Sequence, residues 1–271
     1  MNIIVVDDEI TALNTLLLSL INRQDVTVQM FLDDPFGAIN FTRDHQIDAA
    51  FLDIQMPIMN GIDLAKKLIE INSKLKVFFI TAYTFDEQAT AQTIGSNFAG
   101  YCYKPYDRDL LSRQLDLLVE ETNTGKKRDI RIKTFEGFDV FINNKPINFR
   151  NKKSKEMLAY AVNKKGSFIT MEEAISVLWP DKDTDLARIS YRDSVWKLRR
   201  TLNENRLDNL VFFDRGRYRL NKEGVECDLF DALNGTGKIV SIVSYMPGYD
   251  WSVEYEAVIM DILEERMKNT Q

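Results

Sequence analysis

Cysteine and histidine are scarce: the 271 residues contain two cysteines, Cys102 and Cys227, and one histidine, His45. Widely separated and without a CxxC partner, the two cysteines exclude a disulfide framework and a zinc ribbon, and read as small buried residues in a reducing cytosol. One histidine argues against a histidine-based zinc site or catalytic triad; His45 reads as a surface residue before a strand. No apolar run approaches the ~18 residues of a membrane span. The opening Met1-Asn2-Ile3-Ile4-Val5-Val6-Asp7-Asp8 has no basic stretch, and acids end its apolar run, so neither a signal peptide nor a membrane location is expected. Low-complexity tracts and internal repeats are absent too, which removes fibrous and solenoid architectures.

Acidic residues outnumber basic ones, 41 to 35, for a net charge of −6. That balance alone discourages nucleic-acid binding, but its distribution does not. Residues 1–123 carry net −9, residues 124–222 net +10 and residues 223–271 net −7. Such segregation along one chain points to parts with separate tasks.

In the first part, short apolar runs at 3–6, 26–31, 49–52, 77–80 and 98–103 alternate with helical stripes such as Leu13, Leu16, Leu17, Leu20 and Ile21. Strands alternating with helices predict a doubly wound, flavodoxin-like parallel sheet of five strands. Ligands of such sheets bind beyond the carboxyl ends of the strands. Those ends carry Asp7-Asp8, Asp53, Thr81 and Lys104-Pro105. Converging carboxylates call for a cation, and an all-oxygen set suits Mg²⁺. A carboxylate there can attack a phosphoryl group, with Thr81 and Lys104 serving the phosphoryl oxygens. Each residue alone also has an ordinary use, Asp7-Asp8-Glu9 as a helix cap for example; their coincidence at four strand ends is harder to explain as capping.

The motifs VVDDE (5–9), LDIQMPIMNGIDL (52–64), ITAY (80–83) and YCYKP (101–105) resemble, in order, those of the receiver domain of two-component response regulators, over residues 1–121. The resemblance implies that Asp53 is the phosphoacceptor and that Asp8, Asp53 and the Gln55 backbone carbonyl bind Mg²⁺, with Asp7 assisting through water. It further implies that Thr81 and Lys104 sense the phosphoryl group, that Lys104-Pro105 is cis, and that Tyr101 is an aromatic switch turning inward. Phe98-Ala99-Gly100 lacks the acidic residue that usually precedes this aromatic. That departure counts against the family's usual salt-bridged dimer through its fourth helix, fifth strand and fifth helix, of which Arg108, Asp109, Arg113 and Asp116 would supply part.

Residues 122–129 read as a linker. Beyond it, Ile130–Ile147 alternates as strands around an Asn143-Asn144 turn, helices are expected at 152–163, 171–178 and 187–204, and a hairpin turns at 214–217. On the 187–204 helix, Tyr191, Val195, Leu198 and Leu202 share an apolar face flanked by Arg192 and Arg199, with Trp196, Lys197 and Arg200 opposite. A cationic front suits a DNA major groove, and Arg215, Arg217 and Arg219 on the hairpin suit phosphates or the minor groove; the bland reading is a solvated charged face. KLRRTL (197–202) and GRYRL (216–220) resemble the recognition helix and wing of the OmpR/PhoB winged-helix domain, here spanning 130–222, an α+β helix-turn-helix. By that resemblance Arg192, Lys197, Arg199, Arg200, Arg215 and Arg217 contact DNA. Leu178-Trp179-Pro180 and Tyr245–Trp251 are similar to SARP-type activators, making 223–271 an acidic, mainly helical, shortened activation-domain stub.

The expectation is thus a cytoplasmic, phosphorylation-controlled regulator of transcription. Its partners would be a sensor histidine kinase, double-stranded promoter DNA, a second copy when phosphorylated, and RNA polymerase as a further candidate. A rival is a regulator acting through protein contacts of its C-terminal extension. An Asp-nucleophile phosphatase is disfavoured because Gln55 stands where those enzymes commonly carry a second Asp as general acid, leaving phosphoryl acceptance and self-dephosphorylation at Asp53 as the only chemistry.

Overall fold

The computed structural model describes residues 1–20, 23–81, 90, 93–124, 129–236 and 244–269, without the side chains of 122–124 and 264–269. Ile21, the ITAY motif beyond Thr81 and linker positions 125–128 lie outside the described residues. Two compact units result: Met1–Gly125 with Leu202–Asn209, and Lys126–Thr201 with Leu210–Gln271.

In the first unit, β1 (Asn2–Asp7), β2 (Thr27–Leu32), β3 (Ala49–Asp53), β4 (Lys76–Thr81) and β5 (Phe98–Tyr103) form a parallel sheet in the order β2-β1-β3-β4-β5. The described helices are α1 (Ile10–Leu20), α2 (Pro35–Asp44), α3 (Gly61–Ile71) and α4 (Arg108–Thr124). Successive strand residues point to opposite faces, which explains why these strands are almost wholly apolar. Ile3, Val5, Phe51, Phe78 and Ile80 enter one core with Leu13, Leu16, Leu115 and Leu118. Ile4, Val6, Leu52, Val77 and Phe79 enter the other with Ala38, Leu64 and Leu68. Helices on both faces leave no solvated side, as expected of a doubly wound sheet. Local signals set the helix starts: Asp34 accepts from the Gly37 amide before Pro35, and Asn60 from the Asp63 amide. Helix α4 runs through Thr124, so the first residues expected in the linker are helical instead. Cys102 and Cys227 are both buried and free; exposed His45 stacks on Phe41 at the end of α2.

The second unit begins with β6 (Ile130–Lys133), β7 (Asp139–Ile142) and β8 (Lys145–Pro146). Asn143 and Asn144 turn β7 into β8 with positive φ of 50° and 65°, as a tight hairpin with right-handed strand twist requires. Helix α5 (Lys152–Asn163) is capped by Asn151, and β9 (Ile169–Thr170) leads into α6 (Met171–Leu178), capped by Thr170. Then come α7 (Thr184–Glu204), three residues longer at its start than expected, and the hairpin β10 (Val211–Asp214) and β11 (Arg217–Leu220). The sheet order here is β10-β11-β9. Tyr191, Leu198 and Leu202 are buried as the periodicity implies.

Residues 223–271 are less of an appendage than the sequence suggests. Strand β12 (Glu226–Cys227) pairs parallel to β6, completing a sheet β12-β6-β7-β8, and is followed by α8 (Asp228–Asn234) and α9 (Ser252–Asn269). Asp228 accepts from the Thr134 amide and hydroxyl at 2.8 and 2.6 Å and from the Phe135 amide at 3.3 Å. Tyr245 is fully buried, with its hydroxyl donating to Asn163 at 2.9 Å, and Trp251 donates to Glu156 at 3.3 Å. Tyr245 and Met246 therefore pack into the core of this unit.

Candidate functional site

The sheet brings β1 beside β3 and β3 beside β4, so the residues at their carboxyl ends meet. Asp7, Asp8 and Asp53 each present a carboxylate oxygen within 4.8 Å of the others. Asp7 is fully buried and Asp53 is 7% exposed. Lys104, just past β5, places its Nζ 3.1 Å from Asp7 Oδ2, 3.4 Å from Glu9 Oε2 and 3.5 Å from Asp53 Oδ2. Thr81 is buried at the end of β4, and its carbonyl accepts the Lys104 amide at 2.8 Å, which ties the two strand ends together. The Lys104-Pro105 peptide is cis.

Three of these groups report the strain of unbalanced charge. Burial, aided by the Asp7 carboxylate, pushes the Asp53 carboxyl up to about 6 against the pull of Lys104. Burial also raises Asp7, although the Glu9 amide and Lys104 favour its ionised form. For Lys104, burial lowers the ammonium pKa, but Asp53 and Asp7 together leave it above the ordinary lysine value. One cation thus faces three or four carboxylates. Asp7 Oδ2 is buried with no hydrogen-bond partner, Lys104 serving it only as an ion pair. An all-oxygen, charge-deficient cluster is what a hard divalent cation such as Mg²⁺ takes, so the residues present fit it.

Glycine at 61 follows from the site. A Cβ there would stand 2.2 Å from the Asp53 carbonyl oxygen, so only glycine lets the loop after β3 fold back at the Asp53 end. Gln55 is exposed, and its backbone amide hydrogen-bonds the Asp53 carboxylate. The Tyr101 ring lies inward, 2% exposed, among Phe79, Phe98 and Tyr103.

Two neighbours escaped the sequence reading. Glu9, read there as part of a cap, joins the Lys104 cluster. Tyr106, after the cis proline, buries a hydroxyl with no hydrogen-bond partner, and its phenol is raised by burial and then by Asp7. The YCYKP motif stops one residue short of it; a polar aromatic following the site lysine was the available signal.

The second unit holds the other predicted residues, all on α7 or the β10–β11 hairpin. Arg192 and Arg215 are exposed. Lys197 pairs with Asp193 at 2.7 Å, and the Arg200 guanidinium lies 5.4 Å from the Trp196 ring centre. Arg199 is half-buried, stacked 4.6 Å above Phe213, so packing on the hairpin engages it as much as the exposed front does. Arg217 pairs with Asp214 at 2.7 Å and stacks on Phe168, while Arg219 lies over Phe168 and Phe212. At the hairpin tip Arg215 and Gly216 both take positive φ, 39° and 83°, so the two-residue turn projects Arg215 outward. Arg188, 48% exposed in its side chain, extends the cationic front toward the start of α7.

Residues 3–116 match the family model described as the response regulator receiver domain. The first unit contains a receiver domain. Two curated proteins are similar to this chain. "Response regulator SaeR" of Staphylococcus epidermidis is 29% identical over 142 residues, covering 49% of this chain and 61% of that protein. "Transcriptional regulatory protein YpdB" of Escherichia coli is 26% identical over 118 residues, covering 44% and 47%. The chain therefore spans about half to three fifths of the length of these relatives. Among solved structures, the response regulatory domain of protein mrkE from Klebsiella pneumoniae is 27% identical, with a TM-score of 0.41, covering 46% of this chain and 98% of that one. Asp7, Asp8, Asp53, Thr81 and Lys104 all lie inside the matched span.

Proposed function

We propose that this chain is a phosphorylation-controlled, DNA-binding transcriptional regulator of a two-component system. The observation that carries the reading is the meeting of Asp7, Asp8, Asp53 and Lys104 at the carboxyl edge of the receiver sheet. A histidine kinase, or a small phosphodonor, supplies the phosphoryl group. An Asp53 carboxylate oxygen attacks phosphorus; the new bond is an acyl phosphate, and the bond to the donor nitrogen or oxygen breaks with its electron pair leaving on the donor. Asp7, Asp8, Asp53 and the Gln55 carbonyl would hold Mg²⁺, which supplies positive charge to the phosphoryl oxygens. Lys104, 3.5 Å from Asp53 Oδ2, would neutralise the added charge, and the Thr81 hydroxyl would donate to a phosphoryl oxygen.

For the second unit, the reading is a winged helix in which α6 and α7 form the helix-turn-helix and β10–β11 the wing. Arg192, Lys197 and Arg200 line the front of α7, and Arg215 and Arg217 the wing; Arg199 braces helix against wing. Support comes from the net +10 of residues 124–222 and from the exposure of Arg192 and Arg215. The two named relatives are called a response regulator and a transcriptional regulatory protein, which is consistent with that output. A second reading, output through protein contacts of residues 223–271, has the exposed Val253 and Val258 of α9 in its favour.

The decisive experiment incubates the full chain with acetyl phosphate and Mg²⁺, measures the intact mass, and then measures binding to a promoter library. One phosphoryl adduct and a gain in DNA affinity are expected, both lost in Asp53→Asn. An adduct without any DNA binding would favour the second reading, and no adduct would overturn the first.

A further inference from the structure

The exposed front of α7 is less cationic than its composition suggests. At about 3.6 residues per turn, Leu186, Ile189, Asp193, Trp196 and Arg200 fall within an arc of roughly 80°, opposite the buried Tyr191 and Leu198. Leu186 is 60% exposed, Ile189 62% and Trp196 45%. Single exposed apolar side chains are ordinary, but three along one line of a helix form a stripe that water solvates poorly. Charge borders the stripe, with Arg192 at one margin and Lys197 at the other. The cations nearest its centre are turned to the helix itself. Lys197 pairs with Asp193 at 2.7 Å, and the Arg200 guanidinium lies over the Trp196 ring, 5.4 Å from its centre.

We infer that this stripe reads the 5-methyl groups of thymine in the major groove, so that the DNA recognised is rich in A·T pairs beneath α7. The inference rests on the DNA-binding reading of the second unit and adds which bases that unit selects. Complementarity chooses the partner. A T-rich major groove has apolar methyl groups on its floor and phosphates along both edges. The α7 front has the matching order, apolar along its centre and cationic at its margins. A protein partner would need an apolar strip with acidic borders on both sides, whereas the net +10 of residues 124–222 suits a polyanion. Guanine is disfavoured by the same residues. It offers two acceptors, O6 and N7, for which a central Arg or Lys is the common donor. Here the Asp193 carboxylate holds a central position and repels those acceptors, whereas the amino group of an adenine paired to thymine can donate to it. Leu186 and Ile189 stand on the first two turns of α7, the end of a recognition helix that contacts base edges.

The test begins by enriching, from a random duplex library, the sequence that the full chain binds with acetyl phosphate and Mg²⁺ present. Each thymine of the enriched duplex is then replaced in turn by deoxyuridine, which deletes the 5-methyl group and leaves the pairing edge intact. At two or more neighbouring positions the replacement should weaken binding by about three- to tenfold, the effect of withdrawing one buried methyl group. In Ile189→Ala, thymine and uracil should bind alike at one of those positions while the others keep their preference, and Leu186→Ala should erase the preference at a neighbouring one. The log–log salt slope of Ile189→Ala should match the parent's, since no phosphate contact is lost, whereas that of Arg192→Ala should be shallower. The alanine changes fall at exposed helical positions and spare the fold, which a thermal melt checks; the uracil series uses the unaltered chain. Failure to enrich any sequence would remove specific DNA reading itself, and this inference with it. An enriched duplex indifferent to uracil, or a uracil penalty unchanged in Ile189→Ala, Leu186→Ala and Trp196→Ala, would overturn the inference alone and leave the stripe to a protein partner.

Discussion

Asp53 is held between burial, which opposes its charge, and Lys104, which favours it. Its carboxyl titrates near 6, above the roughly 3.9 of an unfolded chain. The folded state thus binds a proton more tightly than the unfolded state. The resulting stability is fully present below about pH 4 and is lost as pH rises through 6. Replacing Asp53 by Asn removes the charged form at no cost in volume. In Mg²⁺-free buffer at pH 7.5, Asp53→Asn should therefore melt higher than the parent, by about 1–3 kcal/mol of stability. That gain should fade below pH 5, and added Mg²⁺ should narrow it at pH 7.5 by stabilising the ionised parent. Calorimetry at three pH values checks this; a gain that grows on acidification would refute it. The residue types at this site were legible because each ends a recognisable strand. Glu9 and Tyr106 were not, since their roles arise from where the β1–α1 and β5–α4 loops place them.

At the scale of elements, alternation and helical periodicity located the five receiver strands and most of the helices, but not α2, β9 or α8. These patterns are local: a strand buried on both faces must be apolar throughout, and an amphipathic helix must repeat every three or four residues. Strand β12 carried no such signal. Two residues cannot show a period, and Glu226-Cys227 becomes a strand only because β6 offers an edge to pair with. Asp228 at once fixes that junction, accepting from two backbone amides and the Thr134 hydroxyl across 93 to 94 positions of sequence. Asp228→Ala strands those donors beside a fully buried Thr134. A loss of about 2–4 kcal/mol is expected, because buried donors left unpaired cost more than the bond they formed. Urea unfolding followed by the fluorescence of Trp179, Trp196 and Trp251 would measure it; an unchanged midpoint would mean that β12 adds nothing to the unit's stability.

For the whole molecule, the net charge of −6 conceals parts of opposite sign. If the proposed DNA contacts are right, affinity falls steeply with salt, and each lost phosphate contact flattens the log–log slope by about 0.9. Arg215→Ala and Arg192→Ala, both at exposed positions, are the informative variants. Arg199→Ala is less so, because it also unstacks Phe213. A titration series from low to moderate salt should show a shallower slope for Arg215→Ala; identical slopes for parent and both variants would remove α7 and the hairpin from the interface. Among the described residues no helix is long and apolar enough to cross a membrane. The sequence by itself determined the receiver fold, its acidic cluster and the cationic helix and hairpin, because strand-end residues, motif spacing and helical faces are properties of short windows. Only the tertiary structure decided what chain closure creates: the parallel pairing of β12 with β6, the anchoring of Tyr245, and the capping of Ala99 and Tyr101 by Arg206 and Asn203. Those contacts join residues 82 to 107 positions apart, most of them through hydrogen bonds to backbone, which any sequence offers and no local pattern marks.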